Sequence, residues 1–184
     1  MSKTIMKTKT MTLVGLFTAL LCIAGPLSIP IPVSPVPLSL ATLVIYFFSN
    51  IIGYKKGLLC CFIYIMIGLA GIPVFSGFSA GISKLAGPTG GYLVGYFFIA
   101  FFTGFFADKF PQSRKLQLLG MILGSICLQF LGTLWLAILT NTTLFQAAFS
   151  GVIPFLPNDI LKIVITITLA PTIKKHIVQS QIFV

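Results

Sequence analysis

Residues 10–54 read TMTLVGLFTALLCIAGPLSIPIPVSPVPLSLATLVIYFFSNIIGY, a run of 45 residues without one Asp, Glu, Lys, Arg or His. A helix that crosses the hydrocarbon core of a bilayer needs about 20 apolar residues, so this run holds two helices if something divides it. Pro26, Pro30, Pro32, Pro35 and Pro37 fall near its middle, and proline both removes a backbone donor and clashes with the preceding turn. The stretch therefore reads as span, broken outer loop, span.

The rest of the chain follows the same rule. Residues 116–158 form a second charge-free run, of 43 residues, divided by Asn141, Thr142 and Thr143 and then by Gly151, Pro154 and Pro157. Between the long runs lie two single-span stretches, 57–83 and 85–107. Six helices are expected, near 12–29, 38–53, 57–72, 90–107, 116–140 and 157–173, in an all-α membrane bundle. The whole chain, 1–184, reads as one membrane-embedded domain.

Composition agrees. Of 184 residues, 57% are hydrophobic and 8% charged, with mean hydropathy +1.08, whereas soluble domains carry about 25% charged residues. A globule so poor in charge cannot cover its surface with polar groups. A cytosolic enzyme, a disordered chain and a secreted disulfide scaffold are thereby excluded.

Twelve Lys and Arg face two acids, for a net charge of +10. Cytoplasmic loops of helical membrane proteins accumulate Lys and Arg. With both termini inside, Lys3, Lys7, Lys9, Lys55, Lys56, Lys109, Arg114, Lys115, Lys174 and Lys175 all fall on the inner side, 10 of the 12. Lys84 falls outside and Lys162 within the membrane. An odd number of spans spoils this partition. The first helix has a basic start and an apolar core, as a signal peptide does, but its removal leaves five spans, and Leu21 is a poor match to a lipoprotein cleavage site before Cys22; retention is expected. No basic stripe lies on a polar domain, so nucleic acid is not an expected partner. Cys22, Cys60, Cys61 and Cys127 lie in apolar stretches without CxxC spacing, and the single His176 is in the tail. No metal site can be assembled from them.

Asp159 and Lys162 are the exceptional ionisable residues, at i and i+3 on one helix face. Counting back from Lys174 at the inner interface, at about 1.5 Å per residue, places Lys162 roughly 18 Å and Asp159 roughly 22 Å deep, in the outer half of the membrane. Intramembrane charges line cavities, bind ligands or pair with each other. Pro154 and Pro157 beside them point to a cavity, because irregular backbone at membrane depth is tolerated where it lines one. Asn158 and Asp159 are also placed to cap the helix start. The outer loop between spans three and four is rich in Gly, with Phe75, Phe78 and Tyr92, which reads as a lid over a small molecule; the bland reading is a glycine-rich turn packing helices. No GxxxxGK[ST] occurs, so the chain carries no phosphate loop of its own. Small-residue pairs stand at Gly15 and Ala19, Gly91 and Gly95, and Gly120 and Gly124, for close helix contact within the bundle or with a partner. Gln129 and Trp135 reach either the cavity or a helix contact.

The segment Gly71-Ile72-Pro73-Val74-Phe75-Ser76-Gly77, followed by Gly87-Pro88-Thr89-Gly90-Gly91-Tyr92-Leu93, resembles the signature of the BioY family, the biotin-binding S components of energy-coupling factor (ECF) transporters. The likeness continues through Ile29-Pro30 with Pro35-Val36-Pro37, Phe155-Leu156-Pro157-Asn158-Asp159-Ile160-Leu161-Lys162, and Leu169-Ala170-Pro171. It departs at Asn158, where glycine is expected, and near Ala41, where glutamine is expected.

The resemblance implies a multi-pass protein of a bacterial plasma membrane that captures biotin from outside without chemistry on it, and so without cofactor or enzymatic activity. It implies a transmembrane coupling subunit and two ABC ATPases as partners, with Gly15 and Ala19 on the face that meets the coupling subunit. Phe75, Phe78 and Tyr92 would contact the ring and valeryl chain of biotin. Asp159 and Lys162 would serve its polar ends, in an order left open. Thr89 and the backbone of Gly90 and Gly91 would add hydrogen bonds at the mouth, and Lys84 would attract the carboxylate during entry. The alternatives are an S component for another vitamin and a self-contained carrier, which two acids in the whole chain make a poor fit.

Overall fold

A computed structural model describes the backbone of residues 2–32 and 34–179, and side chains from Thr8 to Lys175 with the same gap at position 33. The side chains of Lys3 and Lys7, used above in the reading of charge, and of His176, weighed above as a metal ligand, lie outside the described residues. Among the described residues there are eight helices and one two-stranded hairpin: α1 (Ser2–Ala24), β1 (Ser28–Ile31), β2 (Ser34–Ser39), α2 (Ala41–Ile52), α3 (Tyr54–Leu69), α4 (Ile82–Ala86), α5 (Gly90–Lys109), α6 (Arg114–Thr140), α7 (Leu144–Gly151) and α8 (Leu156–Gln179). The six longest correspond in order to the six expected segments. Three of them, Gly90–Lys109, Arg114–Thr140 and Leu156–Lys175, are long and apolar enough to cross a membrane.

Departures from the expected boundaries have local causes. α1 stops at Ala24 rather than 29, because Gly25 and Pro26 follow. The proline-rich loop is an antiparallel hairpin, with Ser28 opposite Ser39 and Ile29 opposite Leu38. A two-stranded ribbon consists only of edges, where missing proline donors are tolerated. α2 and α3 are joined by Gly53 alone, at φ +82°. There the Asp108 carboxylate accepts from Tyr54 N at 3.2 Å, closing the open start of α3. The glycine-rich outer loop contains α4 and an isolated bridge between Phe75 and Ser79. A further short helix, α7, opens with a capping box between Thr143 and Gln146. α8 continues through Pro171 past the expected end at 173.

α5 and α6 form an antiparallel pair whose backbones approach closely. A Cβ on Gly95 would overlap Leu128, and one on Gly120 would overlap Phe106. The small residues of these two helices thus serve internal packing. Gly15 differs: nothing lies within 4 Å of where its Cβ would stand, and Ala19, one turn on, is exposed. Elsewhere the bundle shows an apolar exterior. Ile126, Phe130 and Ile138 of α6 and Ile160, Leu161 and Val164 of α8 are all exposed, as a protein solvated by lipid requires.

Candidate functional site

α8 begins just after a turn held by Phe155 N to Val152 O at 3.0 Å, which sets Asp159 in its first turn. Asp159 is 4% exposed. Its Oδ2 accepts from Ser125 Oγ at 3.1 Å and from Gln129 Nε2 at 2.8 Å. Those donors stand four apart on α6 and so share one face. Its Oδ1 takes no hydrogen bond from the described residues.

Lys162, one turn further and equally buried, reaches the other way. Its Nζ donates to the Ser39 carbonyl at 2.6 Å and to Thr42 Oγ1 at 2.7 Å, tying α8 to β2 and α2. An ammonium has three donors, and one is left over. Among the described residues no ion pair joins Asp159 to Lys162. Mutual pairing, weighed above, is replaced by two separate polar cradles that hold opposite charges apart across a gap. Likewise Asp159 turns its side chain to α6 instead of capping its own helix.

That gap is a narrow cleft of about 40 Å³, smaller than the roughly 300–1,000 Å³ of small-molecule sites, so its walls must part to admit a ligand of that size. The hairpin contributes Val36, Pro37 and Ser39 to its wall, α5 contributes Tyr92, Leu93 and Tyr96, and Leu128, Gln129 and Phe155 complete much of the rest. Tyr92 stacks on Phe155 at 5.9 Å and 26°, and its hydroxyl donates to the Gly151 carbonyl at 2.9 Å. The ring lies where Gly132 has no side chain. Gln129 Oε1 is buried without a partner. An acceptor left so beside a cavity is costly unless something donates to it.

Of the residues singled out from sequence, Asp159, Lys162, Thr89, Tyr92 and Gln129 meet at this cleft. The others stand elsewhere. Phe75 is fully buried against Tyr64, centroids 5.6 Å apart, with its ring over Gly68; it anchors the outer loop to the core. Phe78 is 69% exposed, at φ +56°. Gly90 and Gly91 are buried against Leu85 and Trp135, where they allow α5 to approach α6. Lys84 lies on α4, outside the cleft lining, and its carbonyl accepts from Thr89 Oγ1 at 3.2 Å. The loop contributes Ser76 instead. Trp135 Nε1 donates to the Gly87 carbonyl at 2.9 Å, a loop anchor, whereas Gln129 belongs to the site. Neither Asn158 nor Ala41 lines the cleft, though Ala41 N donates to Ser39 Oγ at 3.1 Å beside it.

Ser39, Thr42 and Ser125 were not anticipated. Ser125 and Gln129, polar at i and i+4 within an apolar run, carried a legible signal. Ser39 did not, since it serves Lys162 through its backbone.

The family model described as the BioY family matches residues 1–179. A probable biotin transporter BioY of Pyrococcus horikoshii is 36% identical over 169 residues, 90% of this chain and 96% of that protein. The biotin transporter BioY of Thermotoga maritima is 34% identical over 161 residues, 88% and 93% of the two chains. A crystal structure of the S-component for biotin from an ECF-type ABC transporter superposes with TM-score 0.85 at 31% identity, covering 92% of each chain.

Proposed function

The chain belongs to the BioY family, and from that premise we infer that it is the biotin-binding S component of an ECF-type ABC transporter, a transport subunit and not an enzyme. The observation that carries this reading is the pair of opposed cradles. Asp159 Oδ1 and Gln129 Oε1 present acceptors to the cleft, and Lys162 presents a donor from the other wall. Biotin offers two ureido N–H donors, a ureido oxygen, an apolar bicycle and a carboxylate. The acceptors suit the ureido N–H groups, and Lys162 suits a ligand oxygen. Tyr92, Phe155, Val36 and Leu128 suit the apolar body.

The finer reading follows from the charge pattern. Six spans with both termini on the cytoplasmic side of a bacterial plasma membrane put the cleft at the outer face and ten basic residues at the inner one. The partners are a transmembrane coupling subunit and two ABC ATPases that hydrolyse ATP for uptake. The open face at Gly15 and Ala19 supports contact with the coupling subunit, since small residues let a partner helix approach closely.

Calorimetric titration of the purified protein in detergent with biotin, thiamin and riboflavin tests the ligand. Tight binding of biotin alone is expected; tighter binding of either other vitamin would refute the assignment.

A further inference from the structure

α6 and α8 both run from the cleft to the basic end of the bundle. Arg114 precedes Gln129 by 15 positions and Lys174 follows Asp159 by 15, about 22 Å along each helix axis. There the helices part around a second, open cavity of about 530 Å³, whose wall includes Asn50, Pro111, Arg114, Gln117, Lys174 and Lys175.

The amides in this wall form a finished scaffold. Asn50 Nδ2 donates to Gln117 Oε1 at 3.2 Å, and Gln117 Nε2 donates to the carbonyls of Phe110 and Pro111 at 3.1 Å each. Lys174 Nζ donates to the Asn50 carbonyl at 3.3 Å, leaving two of its hydrogens unused. The cations do not have such closure. Among the described residues no carboxylate forms an ion pair with Arg114, Lys174 or Lys175, and the nearby acid Asp108 is engaged at Tyr54 N. No acid lines the cavity. Three positive charges from two helices therefore converge on empty space.

We infer that this cavity binds the phosphate of an anionic phospholipid headgroup. A phosphate takes several charge-assisted hydrogen bonds from Arg and Lys, and basic pockets between helices at the inner interface receive such headgroups. A membrane source is favoured over free phosphate by what flanks the site. Leu118 and Ile122 of α6 and Leu169 and Ile173 of α8 are exposed within two turns of the cations, a surface on which acyl chains would lie. The inference does not depend on the vitamin assigned to the cleft.

Native mass spectrometry of the full chain in detergent with equal phosphatidylglycerol and phosphatidylcholine tests it. The wild type is expected to retain phosphatidylglycerol selectively. The R114Q/K174Q/K175Q variant is expected to lose that preference by on the order of 100-fold, from about 1 kcal/mol per basic residue. Because Lys174 also bonds Asn50, R114Q/K175Q is measured alongside, with K55Q/K109Q as a control that should keep the preference. Unchanged biotin titration in every variant reports the fold and the distant cleft independently. Equal retention of both lipids by the wild type would overturn the inference, as would undiminished preference in both site variants. Displacement of phosphatidylglycerol by equimolar glycerol 1-phosphate would also overturn it, by making this a site for a free anion.

Discussion

Lys162 carries one of the two cradles, and its removal takes away a donor to the ligand together with the tie from α8 to β2 and α2. In Lys162→Met the ligand loses one charge-assisted hydrogen bond, a loss of about 1.5–3 kcal/mol, or roughly 10- to 100-fold in affinity. Asp159 is not stranded by this change, because Ser125 and Gln129 hold it. Detergent calorimetry should show weaker biotin binding, and the melting temperature should also fall because the Ser39 carbonyl and Thr42 Oγ1 lose their donor; unchanged affinity would remove Lys162 from the site. Gln129→Leu deletes both a donor to Asp159 and the unpartnered acceptor, whereas Ser125→Ala deletes one donor. The glutamine variant should lose more affinity, by at least about 1 kcal/mol, and equal losses would argue against a ligand contact at Oε1. Comparing biotin with its carboxamide in Lys162→Met also assigns the lysine. If it meets the carboxylate, the variant no longer distinguishes the two ligands.

At the scale of elements, the close approach of α5 to α6 positions Tyr92, and Gly132 makes room for its ring. Gly132→Ala places a Cβ against that ring, and overpacking of this kind costs about 1–3 kcal/mol. The tyrosine must then move off Phe155, so both the midpoint of thermal unfolding and biotin affinity should fall. Asp108→Ala offers the opposite pattern. It removes the acceptor at the start of α3, for about 1 kcal/mol of stability, at the other end of the bundle from the cleft. Its melting temperature should drop while its biotin titration stays that of the wild type. A change in affinity there would mean that the two ends of the bundle are coupled.

For the whole molecule, orientation is the open variable, and it is readable by cysteine labelling. In a background where Cys22, Cys60, Cys61 and Cys127 are replaced, Lys84→Cys should react with an impermeant maleimide in intact cells. Lys109→Cys should react only after the membrane is opened. Reversed reactivity would invert the proposed topology and place the cleft inside.

The helices were legible in the sequence because lipid solvation imposes a one-dimensional rule: a charge-free stretch of span length between breakers. Residues 10–54 and 116–158 could scarcely be anything else. Asp159 and Lys162 stood out for the same reason, since a charge in such a stretch is costly and needs a purpose. The partners of these two residues were not legible. Ser39 offers Lys162 a backbone carbonyl, which every residue possesses, and Thr42 and Ser125 are unremarkable on their own. Phe75 and Phe78 illustrate the limit from the other side: two aromatics in one loop, one sealed in the core and one exposed. Sequence by itself thus determined the membrane bundle, its basic end and the two charges that matter, because those follow from solvation residue by residue. Only the tertiary structure decided that the charges are held apart across a cleft, because that depends on which faces of α2, α6 and α8 are brought together by packing.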